Sequence, residues 1–394
     1  MNGKIWKHAG ETTVLSMLLL VICLSSLALA QTKEPIRIGV NMEVTGNAAW
    51  TGDPQLKGIQ LFMEQTNQAG GINGRRIELI AYDNETNVEK SAANAKKLVQ
   101  RDRVIAVLGP GINAIIRAAV PVLQEAKITC YSHSASFNPN FPDSYFFASF
   151  ASVQANIERF FDWFKSQGFT RIAQICSTDS SGQAWNDSSI KIAEAYPGIQ
   201  VFSERFNVND LDVTPQLTKL KAANPQALMV GSTGKSSGVV VKNLMQMGFK
   251  IPILTGAGNI SPSFLAMIAD NEPEIMLLPG SKFVVHQDLP ASDPFKSMMK
   301  KFADDYKKKY NKDADLYAAV AYDAARIVVE ALKAVNPGSP EESVKLRNYI
   351  EQLKNFPGVY GANYNFSPKD HRGLGKNALV LIQAKGKKFY PYEK

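Results

Sequence analysis

Three consecutive stretches decide the fold: IRIGVNM at residues 36–42, TGNAAWTGDP at 45–54 and QLKGIQLFMEQTNQ at 55–68. The first is a short apolar run with β-branched residues, which reads as a buried strand. The third carries Leu56, Ile59, Phe62, Met63 and Thr66 on one helical face. Asp53 is placed to cap that helix and Pro54 suits its first position, so a helix is expected over 54–68. Between strand and helix lies a Gly/Asn/Ala loop that holds one large aromatic, Trp50.

The same unit repeats along the chain. Strand-like RIELIAYD (76–83) leads to a helix opened by TNVE, where Thr86 and Glu89 have capping-box spacing. VIAVL (104–108) leads to a helix from Asn113, and ITCYS (128–132) follows. After a break near 150–154, a second series runs RIAQICS (171–177), IQVFSERF (199–206), QALMVGS (226–232) and IPILTG (251–256), with helices between. Alternating strands and helices imply parallel sheets covered on both faces. A chain of 394 residues exceeds one typical core, so two α/β sandwiches are expected.

Charged residues make up 20% and the hydrophobic set 45%, the balance of a soluble globular chain. The net charge of +8 is spread out, with only KKK at 307–309 as a run, which argues against nucleic-acid binding. The first thirty residues read as a cleaved export signal. Lys4 and Lys7 precede the apolar run at 14–24, and Ala28-Leu29-Ala30 supplies the cleavage site, leaving Gln31 first. The apolar run is short for a membrane span, and Ile22 before Cys23 does not suit lipid attachment. Cys130 and Cys176 remain, both in strand-like runs, and read as buried free thiols.

Ligands of open parallel sheets bind beyond the carboxyl ends of the strands. The loops there are alike: TGNAAWTGD, GPGIN, SHSASFNP, STDSSG, GSTGKSSG and TGAGN. Each alone could be a turn. Together they offer hydroxyls, amides and helix N-termini for a small polar or anionic ligand. GSTGKSSG sits in P-loop context, but a P-loop needs a glycine where Met229 stands; Lys235 is expected at the surface. There is no G-x-S-x-G and no H-E-x-x-H, and His133, His286 and His371 are isolated in sequence. The reading therefore expects no enzyme, no cofactor and no metal.

The N-terminal stretch from Ile36 to Asn84 resembles the leucine/isoleucine/valine-binding proteins, the extracytoplasmic solute receptors of ABC importers. The TGNAAWTG opening, AGGINGR at 69–75 and YDN at 82–84 carry the likeness, which extends through AYDAARIVVEAL (321–332) to GKKFY (386–390). The resemblance implies a two-lobed type 1 clamshell with a three-stranded hinge. Lobe one would comprise 31–152 plus 284–360, and lobe two 153–283 plus 361–394. It also implies a periplasmic monomer that serves a membrane ABC permease.

Residue by residue, the resemblance makes Trp50 a cleft wall and Tyr317 the closing aromatic of a side-chain pocket. Asn113, Ser134 and Ser136 match positions that bind the ligand carboxylate. Ser181 and Thr233 stand where the family has tyrosines. Ala257 stands where it has the glutamate that pairs with the ligand ammonium. The family's disulfide positions fall at Thr86 and Ile112, so that bridge is absent. The expected ligand is accordingly a small carboxylate or amide with an apolar or aromatic body. The alternatives are a branched-chain amino acid, with Asp179 as substitute partner of its ammonium, and a ligand-sensing regulator.

Overall fold

The computed structural model describes residues 34–336 and 338–392; the expected export signal and Cys23 lie outside them. Strand β1 (Ile36–Met42) buries every residue except Arg37, the pattern of a parallel strand covered on both faces. Helix α1 (Ala49–Gln68) follows. Then come β2 (Ile77–Asp83), α2 (Val88–Lys96), β3 (Ala106–Leu108), α3 (Asn113–Glu125), β4 (Thr129–Ser132) and β5 (Phe146–Ala148). These strands form one parallel sheet in the order β2-β1-β3-β4-β5.

The second layer begins with α4 (Val153–Ser166), β6 (Arg171–Ser177), α5 (Ser180–Ala193), β7 (Gln200–Phe206) and α6 (Thr214–Ala222). It continues through β8 (Ala227–Gly231), α7 (Lys235–Gln246), β9 (Ile253–Thr255), α8 (Pro262–Ile268) and β10 (Met276–Gly280). The chain then returns to the first sheet with α9 (Lys296–Tyr310), α10 (Leu316–Val335) and α11 (Ser343–Ile350). A small hairpin of β11 (Phe356–Pro357) and β12 (Asn363–Tyr364) precedes β13 (Val380–Lys385) and β14 (Lys388–Pro391). The second sheet has the order β14-β13-β10-β9-β8-β6-β7, with β13 antiparallel to β10. The molecule is thus a two-lobed α/β clamshell, as the strand–helix alternation and the resemblance implied.

Helix α10 is the shared spine of the first lobe. Fourteen of its twenty residues are buried, and it packs along α1; Gly58 permits contact with the backbone of Ala318. Asp315 caps α10 by accepting from Ala318 N at 2.9 Å. Near the last crossing, the Tyr364 and Phe366 rings stack at 5.8 Å, and Phe366 lies edge-on to Tyr131 and Phe147 of the five-stranded sheet.

Two local expectations are overturned. Helix α1 starts at Ala49, so Pro54 lies inside it and Asp53 does not cap it; Asp53 pairs with Lys57 at 2.5 Å instead. Burial of Thr51 and Gly52 in the extra turn outweighs the weak preference of proline for a first position. The cap of α2 is Asn87, whose side chain accepts from Lys90 N at 2.8 Å. Thr86 takes a left-handed φ of 58°, and its hydroxyl bonds Ala48 N and Thr45 O, fastening the loop before α1. Cys130 and Cys176 are buried free thiols, and burial pushes the Cys176 thiol up to about 12. Among the described residues no helix is long and apolar enough to cross a membrane.

Candidate functional site

A cavity of about 280 Å³ lies between the sheets at the carboxyl ends of their strands. All six loops singled out in the sequence reach it. Trp50 and Thr51 come from the start of α1, and 111–113 and 133–136 follow β3 and β4. Opposite them, Asp179 and Ser181 follow β6, 231–233 follow β8, and 256–258 follow β9. The structure brings together all eight expected residues: Trp50, Asn113, Ser134, Ser136, Ser181, Thr233, Ala257 and Tyr317. Lys235 is exposed at the start of α7 and does not line the cavity.

One wall is aromatic. Trp50 is 38% exposed, and its ring meets Tyr317 edge-on at 5.4 Å. Phe150, which sequence reasoning missed, tilts against Tyr317 at 5.5 Å. Trp50 stands in the first turn of α1 and borders the cavity. Burial raises the Tyr317 phenol far above its usual range, so its hydroxyl stays protonated.

The adjoining wall is built from backbone. Glu43, wholly buried, accepts from Gly111 N at 3.0 Å and from Ile112 N at 3.3 Å, which sets the loop entering α3. Burial raises the Glu43 carboxyl, and those backbone bonds pull it partly back down. Helix α3 has no side-chain cap and no acid in its first turn, so its first N–H groups stand open beside Asn113. Asn113 Oδ1 accepts from Arg117 Nε at 3.3 Å. Ser134 and Ser136 hydroxyls lie 3.2 Å apart, and Ser136 reaches Ser181 across the cleft at 3.4 Å. Arg372 holds this loop from behind: it donates to the carbonyls of Ser134, Phe137 and Phe150.

The opposite wall is neutral at Ala257. Ala257 N donates to Asn156 Oδ1 at 3.0 Å, and Asn156 is itself 2% exposed. An amide arriving from α4 thus backs the position where the resemblance has a glutamate. Asp179 is the sole acid among the lining residues, and it caps α5: its Oδ1 accepts from Gly182 N at 2.9 Å and from Ser177 Oγ at 2.6 Å. Trp185 forms the floor. A Cβ on Gly231 or Gly256 would collide with its ring, so glycine is needed at both strand ends. The Trp185 indole N–H is buried with no partner among the described residues.

His133 also lines the cavity and was dismissed in sequence as isolated. It is 1% exposed, with Nδ1 2.6 Å from Ser149 Oγ, and burial lowers its pKa to about 3. The described residues hold no cluster of three or more metal-ligating side chains. The lining has neither lysine nor arginine, so a negatively charged ligand group would be met by helix N-termini and neutral donors.

A family model described as periplasmic binding protein matches residues 35–388, and the chain belongs to that family. It is 25% identical over 342 residues to a protein of Brucella suis named Leu/Ile/Val-binding protein homolog 1, covering 85% of this chain and 88% of that one. An extracellular ligand-binding receptor from Rhodopseudomonas palustris superposes with a TM-score of 0.81 at 23% identity, over 91% of this chain and 99% of that one. The branched-chain amino acid transporter substrate-binding protein of Streptococcus pneumoniae, solved with isoleucine, gives 0.73 at 23% identity, over 91% and 100%.

Proposed function

We propose that this member of the periplasmic binding protein family is the solute receptor of an ABC importer, and that its ligand is a small carboxylate or amide with an apolar or aromatic body. Family membership, the relatives' names and the cavity between two lobes support the receptor role. The open N-terminus of α3, with the Ser134 and Ser136 hydroxyls, suits a carboxylate. Trp50, Phe150 and Tyr317 suit an apolar body.

The observation that carries the ligand class is the neutral wall at Ala257 and Asn156. An ammonium buried there would lack a counter-charge, which is costly. The second reading, a branched-chain amino acid, is favoured by the relatives' names and would use Asp179, whose Oδ1 is already occupied as the cap of α5.

In our reading the protein is exported by its leader, works as a monomer and delivers to a membrane permease. We divide the lobes as 31–152 plus 284–360 and 153–283 plus 361–394, with the last crossing set later. That crossing moves beyond Arg372, since Tyr364, Phe366 and Arg372 all attach to the first lobe.

A thermal-shift panel at equal concentration tests the ligand class. Isocaproate, phenylacetate and their amides should shift melting more than leucine, isoleucine or valine. At about 100 times its dissociation constant a ligand adds about 2.7 kcal/mol. Large shifts with the amino acids and none with their deaminated analogues would overturn the carboxylate reading in favour of the second.

A further inference from the structure

His133 follows β4 in the same loop that brings Ser134 and Ser136 to the cavity, and its protonation pattern can be worked out from its neighbours. Nδ1 lies 2.6 Å from Ser149 Oγ. Ser149 Oγ lies 3.1 Å from the carbonyl of Ser132. A hydroxyl has one proton to give. Given to the carbonyl, it leaves the oxygen free to accept from Nδ1–H, and all three groups are satisfied in one chain. Given to Nδ1, it would leave two oxygens facing each other at 3.1 Å with no proton between them. The first arrangement assigns the proton to Nδ1 and a lone pair to Nε2.

Nε2 is buried and has no partner among the described residues. His133 is among the residues that line the cavity. A buried acceptor left unmet is unfavourable, so a ligand group that donates there is selected over one that does not. Burial keeps the imidazole neutral, with its pKa lowered to about 3, so Nε2 remains an acceptor at neutral pH.

We propose that His133 Nε2 accepts a hydrogen bond from the bound solute, so that the ligand is a carboxylic acid that also carries a neutral donor, a hydroxyl or an amide N–H. This rests on the carboxylate reading of the same cavity. A neutral imidazole supplies a hydrogen bond without a negative charge. It therefore suits a hydroxyl better than an ammonium, to which it offers no counter-charge of its own. His133 is then a specificity-determining residue in place of the missing acid at Ala257.

The test uses matched probes on the full protein: isocaproate, α-hydroxyisocaproate and leucine, then phenylacetate, mandelate and phenylglycine. Dissociation constants are measured by calorimetry for the protein and for His133→Phe. The hydroxy acid of each set should bind at least about tenfold tighter than its deoxy partner, and the ratio should fall close to one in the variant. Histidine nitrogen chemical shifts in the unmutated protein give the tautomer independently, so the inference stays testable if the variant fails to fold. A protonated Nδ1 with a bare Nε2 is expected. A protonated Nε2, or carboxylates that bind without preference for the hydroxyl, overturns the inference and leaves the receptor reading standing. Binding by none of the probes overturns the carboxylate reading itself, and the inference falls with it.

Discussion

The Tyr317 hydroxyl donates to the carbonyl of Gly258 at 2.8 Å, and that bond joins the first lobe to the second across the cavity. Tyr317 opens α10, which packs on α1, whereas Gly258 lies in the turn after β9. The same ring meets both Trp50 and Phe150. One side chain thus serves as wall and as latch. Removing only the hydroxyl should weaken the closed form and leave the wall intact. For Tyr317→Phe we expect ligand affinity to fall by about 0.5–1.5 kcal/mol. Small-angle scattering should show a smaller ligand-induced decrease in radius of gyration than in the unmutated protein. An unchanged decrease and unchanged affinity would show that the bond does not hold the lobes together.

Trp50 is more than a third exposed and touches Tyr317 through its edge, so it contributes little to the core of the empty protein. Trp50→Ala should weaken ligand binding by about 1–3 kcal/mol and leave the melting temperature of the empty protein nearly unchanged. Calorimetric titration and a thermal melt of the same preparation separate the two effects. A loss of several degrees without ligand would place Trp50 in the core.

Among the described residues, the Arg372 guanidinium donates to three backbone carbonyls, those of Ser134, Phe137 and Phe150. Burial lowers its pKa to about 10, so it remains charged near neutrality. Arg372→Met removes all three donors from a buried site, and each charged bond of this kind contributes about 1.5–3 kcal/mol. We expect a loss of at least about 3 kcal/mol in denaturant unfolding. Binding should weaken as well, because Ser134 belongs to the loop that is released. A variant as stable as the parent would show that the loop holds itself.

His133 also makes a prediction about acid. Its pKa is depressed in the folded protein, from 6.5 to about 3, because burial disfavours the imidazolium. The unfolded chain therefore binds an extra proton between those values. Stability from this residue is fully present above about pH 6.5 and is lost as pH falls toward about 3. His133→Phe should show a shallower decline on acidification, by up to about 1.4 kcal/mol per pH unit in that window. Above about pH 7 the two stability curves should run parallel. Unfolding midpoints measured across the window decide it, and equal slopes would mean that His133 is charged in the folded state.

The alternation of strand and helix, and with it the two-lobed α/β class, was legible in the chain because those signals are local. A run such as IRIGVNM specifies a buried strand through its own side chains. The helix from Asn113 starts where the sequence reading put it. The Gly- and Ser-rich strand ends were legible for the same reason, and all six meet at the cavity. Tertiary packing decided what neighbours in sequence cannot. It drew α1 back to Ala49 against the proline signal, because burial of Thr51 and Gly52 is paid across the fold. It recruited β5 and β10, runs of three and five residues too short to stand out by pattern alone. It set Asn156 behind Ala257, 101 residues away, and so backed that position with a neutral amide. It turned His133 from an isolated histidine into a cavity acceptor by placing Ser149 beside its other nitrogen. Strands and helices follow from periodicity, which a single chain displays, but the polarity of a binding cleft depends on pairs of distant residues, and only the fold brings those pairs together.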